Sequence, residues 1–205
     1  MKSSVDRLIL VGVIACIASE AGALEQSLIA TARANGGTAR VAIAVDYPLL
    51  TVESIVGPSS LIVRGVVRSA TAKLSPDETL VVTEYELIPF RLYKGSVPPL
   101  DHPGAQPPIR FAIPYGTVDI DGLHLSTTVD TLPESEMPRP GEEIIVFLSQ
   151  KPSWHTYALW GGPFAAFRVT DGMVVGLTRE TRDRRGDKPE PLAQFEHRLL
   201  AALSK

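Results

Sequence analysis

The stretch from Leu61 to Gly95 constrains this chain more than any other. Its first half reads Leu61-Ile62-Val63-Arg64-Gly65-Val66-Val67-Arg68. Leu61, Val63, Gly65 and Val67 share one parity, and Ile62, Arg64, Val66 and Arg68 the other. A period of two is the mark of a half-buried strand. Ser75-Pro76-Asp77 then supplies turn chemistry, because proline presets one backbone angle and Ser and Asp side chains bond nearby amides. The chain returns through Thr79 to Leu87. Tyr85 and Leu87 share a face, whereas Phe90 and Leu92 fall on the opposite parity, with Pro89 at the change. Proline lacks a ladder donor and belongs at an edge or a bulge. The pattern predicts a bend at Pro89 of the kind that lets a sheet curl into a barrel.

The rest of the chain supplies more strands. Ile109, Phe111 and Ile113 alternate with Arg110 and Ala112. Asp121-Gly122 sits between alternating residues, the strongest short-range hairpin signal. A two-residue turn there sets Ile120 against Leu123, Asp119 against His124 and Val118 against Leu125. Ile144 to Leu148 is apolar on both faces, as a strand covered on both sides must be. Trp154 to Trp160 alternates, and Phe164–Thr170 and Met173–Thr178 flank a second turn at Asp171-Gly172. Asp130 to Glu143 reads as an acidic, proline-broken loop, and Arg179 to Lys188 as a mobile mixed-charge loop. Leu192, Phe195, Leu199 and Leu203 recur at helical spacing in a C-terminal helix over 191–203. The expected fold is all-β: an OB-like closed or partly open barrel of about seven or eight strands with a C-terminal helix. A β-sandwich is the alternative.

The N-terminus reads as a removable leader. Lys2 and Arg7 precede an apolar run from Leu8 to Ala18, and Ala21-Gly22-Ala23 has the small-x-small cleavage pattern. That run is too short to cross a bilayer, which takes roughly 20 residues. The expected organisation is a signal peptide over 1–23, an N-terminal segment over 24–50, in which Leu24 to Ala34 is loosely held and Ala39 to Val45 alternates weakly as a strand does, and one barrel domain over 51–205. The exported protein is then periplasmic or extracellular, without a transmembrane span in its mature form. Val13-Ile14-Ala15-Cys16 resembles a bacterial lipobox, so anchoring through a lipid on Cys16 is the alternative. The chain has one cysteine; with the leader removed, neither disulfides nor thiolate chemistry remain. A net charge of −3 gives no support for nucleic-acid binding.

Four motifs stand along the chain: Ile62-Val63-Arg64-Gly65-Val66-Val67, Leu92-Tyr93-Lys94-Gly95, Pro140-Gly141-Glu142-Glu143 before Val146-Phe147-Leu148, and Gly161-Gly162-Pro163-Phe164 with Phe167-Arg168-Val169. Over about Thr51 to Thr178 they resemble a pattern in uncharacterised secreted bacterial proteins, themselves similar to the OB-type barrels of netrin-like and metalloproteinase-inhibitor modules. The inhibitors act through an N-terminal cysteine that the mature chain lacks, so the resemblance implies a fold and not protease inhibition.

Candidate chemistry is sparse. No Gly-x-Ser-x-Gly, His-Glu-x-x-His, phosphate-cradling glycine loop or Cys-x-x-Cys occurs in the sequence. His102, His124, His155 and His197 are scattered without ligand spacing. Asp119 and His124 form the one acid–imidazole pair. A catalytic dyad needs a nucleophile, which Ser126 and Thr127 are not positioned to provide, and a cross-strand surface ion pair is the plainer reading. Asp119-x-Asp121-Gly122 lacks the further oxygens of a calcium loop. The acids Asp130, Glu134, Glu136, Glu142 and Glu143 read as a solvated loop rather than a cation site. Trp154 and Tyr157 are candidate binding aromatics, with Trp160 assigned to the core. Arg185-Gly186-Asp187 is an integrin-like tripeptide. No cofactor or metal is expected. The expected function is a non-enzymatic module binding a protein or cell-envelope component; the alternatives are a hydrolase assembled from dispersed residues and a lipid-anchored envelope protein.

Overall fold

The structure, a computed structural model, describes residues 27–44, 50–96, 107–130, 132–151 and 156–205. The leader with Cys16, and also His102, Trp154 and His155, lie outside the described residues. In chain order the elements are α1 (Leu28–Ala34), β1 (Thr38–Ile43), α2 (Val52–Val56), β2 (Leu61–Leu74), β3 (Val81–Lys94), β4 (Ile109–Ile113), β5 (Gly116–Ile120), β6 (Leu123–Val129), β7 (Glu143–Lys151), β8 (Thr156–Leu159), β9 (Ala166–Thr170), β10 (Met173–Gly176), α3 (Arg179–Arg185), β11 (Glu190–Pro191) and α4 (Leu192–Leu203).

Five strands close a ring in the order β2-β3-β4-β8-β7 and back to β2. Every contact in the ring is antiparallel except β4 with β8, which run parallel. The fold is predominantly β, and this ring makes it barrel-like. Strand β7 makes closure possible by branching. One of its edges pairs with β2 along Glu143 to Leu148; the other serves β9 over Glu143–Val146 and β8 over Leu148–Lys151. The β9 branch continues through β10 to β11. Ile144, Val146 and Leu148 point into the barrel, and Ile145 and Phe147 point outward beneath α2 and α4. The continuous apolar run therefore reports a strand buried on both faces. The described residues hold eleven strands rather than about seven or eight. The two residues of β11 are too few to show a period.

The bend at Pro89 is present. Arg64 pairs with Arg91 and Gly65 with Pro89, leaving Phe90 as the extra residue of a bulge. A second shift follows at Arg68, which β3 skips. Both strands of this hairpin extend beyond the barrel; β2 runs to Leu74, further than the Leu61–Arg68 alternation indicated, and β3 begins at Val81. Against this extension lies the second sheet, β1-β6-β5, with β1 parallel to β6. Its core joins Leu28, Ala32, Ala39, Val81 and Leu125. The expected strand near Ala39 is β1, whereas Leu28–Ala34, expected to be loosely held, is packed into the domain: α1 buries Leu28 and Ala32, a stripe too short to read as amphipathic from sequence.

The stretch Arg179 to Lys188 corrects the expectation of a mobile loop. It forms α3, opened by a capping box in which the Thr178 and Thr181 hydroxyls each serve the other's backbone amide, and closed by Gly186 at φ +67°. Capping boxes usually carry Glu or Gln at the third position, so the Thr-x-x-Thr version is easily passed over. Glu180–Arg184 and Arg179–Asp183 also pair across one helical turn. The predicted terminal helix is α4, with Phe195 and Leu199 buried and Leu192 and Leu203 packed beside them.

The β2–β3 turn carries a pH prediction. The Asp77 carboxylate accepts from the Ser75 hydroxyl, from the Thr79 hydroxyl at 2.9 Å and from the Thr79 amide at 3.3 Å. Burial raises its pKa, but these donors outweigh burial and hold it below the ordinary 3.8. A depressed carboxylate contributes stability that is present above its unfolded pKa and lost as pH falls through the folded one. The stability difference between wild type and Asp77→Asn should therefore shrink as pH is lowered from about 4, in urea melts at stepped pH. A difference that stays flat across that range rejects the assignment.

Candidate functional site

The described residues form an open cleft of about 680 Å³ at one mouth of the barrel. It lies where the β2–β3 hairpin leaves the ring. One wall is Ala70, Thr83 and Tyr85 from that hairpin, with Tyr115 from the β4–β5 connection. The other is the strap Glu134 to Pro140, including Met137 and Arg139.

Local rules set both walls. Tyr85 faces inward with the odd-numbered residues of β3 and stacks on Phe111 with ring centroids 5.1 Å apart. The Thr83 hydroxyl donates to the Tyr115 carbonyl at 2.6 Å. Gly116 then passes close to the hairpin: a Cβ there would stand 3.0 Å from the Thr83 hydroxyl, and its φ of +138° favours glycine. This close approach delivers the Tyr115 ring to the cleft. The strap is held from outside. Arg168 on β9 donates to the Glu136 carbonyl at 2.9 Å and to the Glu142 carboxylate at 3.0 Å. Glu136 accepts from the Arg179 amide at 2.9 Å, and the Gly141 amide donates to Val67.

Burial pushes the Tyr85 hydroxyl well above the ordinary phenol range, and the neighbouring Tyr115 and Glu142 add to the effect. Burial and the Glu134 carboxylate likewise raise Tyr115. Of the acidic loop residues, Glu136, Glu142 and Glu143 are each paired, with Arg182, Arg168 and Arg64. Glu134 and Arg139, both exposed at the cleft, make no ion pair among the described residues. No group of three or more His, Cys, Asp and Glu side chains is placed for a metal ion among the described residues. No described helix is long and apolar enough to cross a membrane.

The residues singled out from sequence lie elsewhere. Asp119 and His124 face each other across the Asp121-Gly122 turn in the predicted register. The His124 Nδ1 is 2.8 Å from the Asp119 carboxylate, with the two side chains 54% and 77% exposed. The Thr127 hydroxyl instead accepts from the Val81 amide, 2.8 Å away, joining the two sheets. Tyr157, on β8 at the barrel closure, is half-buried and packs on the interior cluster. Trp160 packs against the outer cluster, and Trp154 lies outside the described residues. Nothing in the sequence alone joined Tyr85, Tyr115 and Glu134, which come from three separate segments.

Arg185-Gly186-Asp187 is not an exposed recognition tripeptide. Gly186 is the left-handed stop of α3, and the Arg185 side chain is only 5% exposed. Its guanidinium pairs with Asp187 at 2.6 Å, donates to the Phe164 carbonyl at 3.0 Å and lies 4.7 Å from the Phe167 ring centre. Its Nη2 has no hydrogen-bond partner among the described residues. Removing the Asp187 carboxylate strips a largely buried cation of its anion. Asp187→Ala should lose about 1.5–3 kcal/mol in denaturant unfolding, the value of a hydrogen bond to a charged group. Arg185→Met, which keeps apolar bulk between the rings, should cost less; the reverse order would mean that the arginine is held by its stacking. The sequence matches no protein-family model and no curated protein.

Proposed function

We propose that this protein is an exported, non-enzymatic binding module that takes part of a protein or cell-envelope component into the cleft at the barrel mouth. The observation that carries this reading is the cleft itself, with Glu134 and Arg139, neither ion-paired among the described residues, set beside two phenols, Met137, Pro138 and Pro140. Several other carboxylates of the described residues are matched to cations, as in the Glu196 cluster with Arg64 and Arg91. A concave site with a few convergent polar groups and an apolar lining is the usual form of a binding pocket, and its volume lies within the common range of about 300–1,000 Å³. The five-stranded ring with one parallel contact supports a kinship in fold with netrin-like and metalloproteinase-inhibitor barrels, as part of the same proposal. The leader pattern supports export, with Cys16 anchoring as the alternative end state.

A photo-crosslinking residue at Ser135, in the cleft wall, tests the site in intact cells. Adducts should form from position 135, should not form from position 171 on the β9–β10 turn, and should disappear when Ala70→Trp fills the cleft. Adducts insensitive to Ala70→Trp would reject the cleft as the site. Turnover of a hydrolase substrate by the purified protein, abolished by His124→Ala, would replace the binding reading with the enzymatic one.

A further inference from the structure

We infer, on the reading that the cleft is a binding site, that its occupant is an extended peptide segment carrying a basic and an acidic side chain close together. Glu134 and Arg139 lie on one strap, both exposed, both lining the cleft and neither ion-paired among the described residues. A ligand with only cationic groups would meet Arg139, and one with only anionic groups would meet Glu134. Like-charge juxtaposition is how binding sites reject wrong partners. A ligand with both signs satisfies both ends. Arg139 presents a planar fork that can hold a carboxylate by two parallel bonds. At the other end, the Glu134 carboxylate accepts from the Tyr115 hydroxyl and keeps further lone pairs for a cation.

The remaining lining suits a peptide rather than a sugar or an anionic polymer. Pro140 presents an exposed ring surface and no backbone donor, with Pro138 and Met137 largely buried behind it in the cleft wall. The aliphatic stems of Arg or Lys lie well on such surfaces while their heads stay in water. A neutral sugar leaves both charges unanswered, and a polyanion is repelled by Glu134 and by a chain of net charge −3. The paired arginines of the fold are already engaged: Arg168 on the strap and Arg64 on Glu143.

Amide chemical-shift mapping on the intact mature protein tests this with three synthetic peptides of one length and proline content, whose central pair is Arg-Asp, Gln-Asn or Arg-Gln. The Arg-Asp peptide should shift the amides of Ala70, Thr83, Tyr85, Tyr115, Met137 and Arg139. It should bind at least tenfold more tightly than the Gln-Asn peptide. The double variant Glu134→Gln, Arg139→Gln should abolish that preference, and the swap Glu134→Arg, Arg139→Glu should restore it, because a swapped pair still answers both signs. Both positions are exposed, so the variants keep the fold, which the unperturbed spectrum verifies. Equal binding of the Gln-Asn peptide overturns the charge inference while the cleft stands. Cleft crosslinks from position 135 without any peptide-induced shift overturn the peptide class alone. Neither shifts nor crosslinks overturn the cleft itself.

Discussion

Phe195→Ala lowers the unfolding free energy by about 3–5 kcal/mol, the range for truncating a buried phenylalanine. The ring has no exposed surface and meets Phe167 edge-on at 4.9 Å, and Phe167 in turn meets Phe147 at 5.8 Å. The three rings link α4, β9 and β7, so a void at Phe195 cannot be filled by moving one side chain. An isolated helix of α4's length is marginal in water, and its order comes from this face. A polar clamp assists it. Glu196, one residue on, receives Arg91 at 2.6 Å and the Tyr93 hydroxyl, with Arg64 at 3.4 Å. Denaturant unfolding of Phe195→Ala and Glu196→Gln separates the two contributions. The ring variant should lose more, because the Arg91 side of the clamp faces solvent. An unchanged midpoint for Phe195→Ala would show that α4 is not docked on the barrel.

Gly65→Ala should be nearly as costly, at or above about 3 kcal/mol, the top of the usual overpacking range. Gly65 lies opposite Pro89 where the strands shift register. A methyl group there would overlap the carbonyl oxygen of Ile88 and stand 2.9 Å from Leu87 Cγ. The first obstacle is backbone, and Leu87 is a fully buried neighbour, so neither can swing aside. To accept the methyl group, β2 and β3 must separate at the bend that closes the ring. Thermal unfolding should show a large drop in midpoint. Gly57→Ala is the control, since nothing lies within 4 Å of a Cβ built there. Equal midpoints for the two variants would mean that the bend does not depend on the close approach at Gly65.

The pieces of this fold that were legible in the sequence are those whose cause is local. Asp121-Gly122 and Asp171-Gly172 announced hairpins because Asp121 and Asp171 take φ values of +50° and +51°, followed by glycine at +77° and +74°. The Leu192–Leu203 stripe announced a helix because side chains three and four apart share a face. Ile144 to Leu148 announced a strand covered on both sides, and Pro89 a bend, because a missing donor and an unbroken apolar run have few structural solutions.

Tertiary structure decided the rest. The branching of β7 depends on which strands reach its second edge, and no local pattern encodes that choice. The parallel pairings β4–β8 and β1–β6 join segments far apart in sequence. The Arg179–Arg185 helix is locally capped, but its place comes from Arg185 lying against Phe164 and Phe167 and Arg182 reaching Glu136. The cleft is the extreme case. Tyr85 looked like any inward-facing residue of a strand and Glu134 like one acid among several, while Tyr115 stood outside every pattern. Sequence determined what each of these side chains can do chemically; only the closure of the barrel and the strapping of Glu134 to Pro140 by Arg168 brought them to one surface. Periodicity reports which face of an element is buried, whereas a site is a relation between elements, set by pairing and packing over long separations.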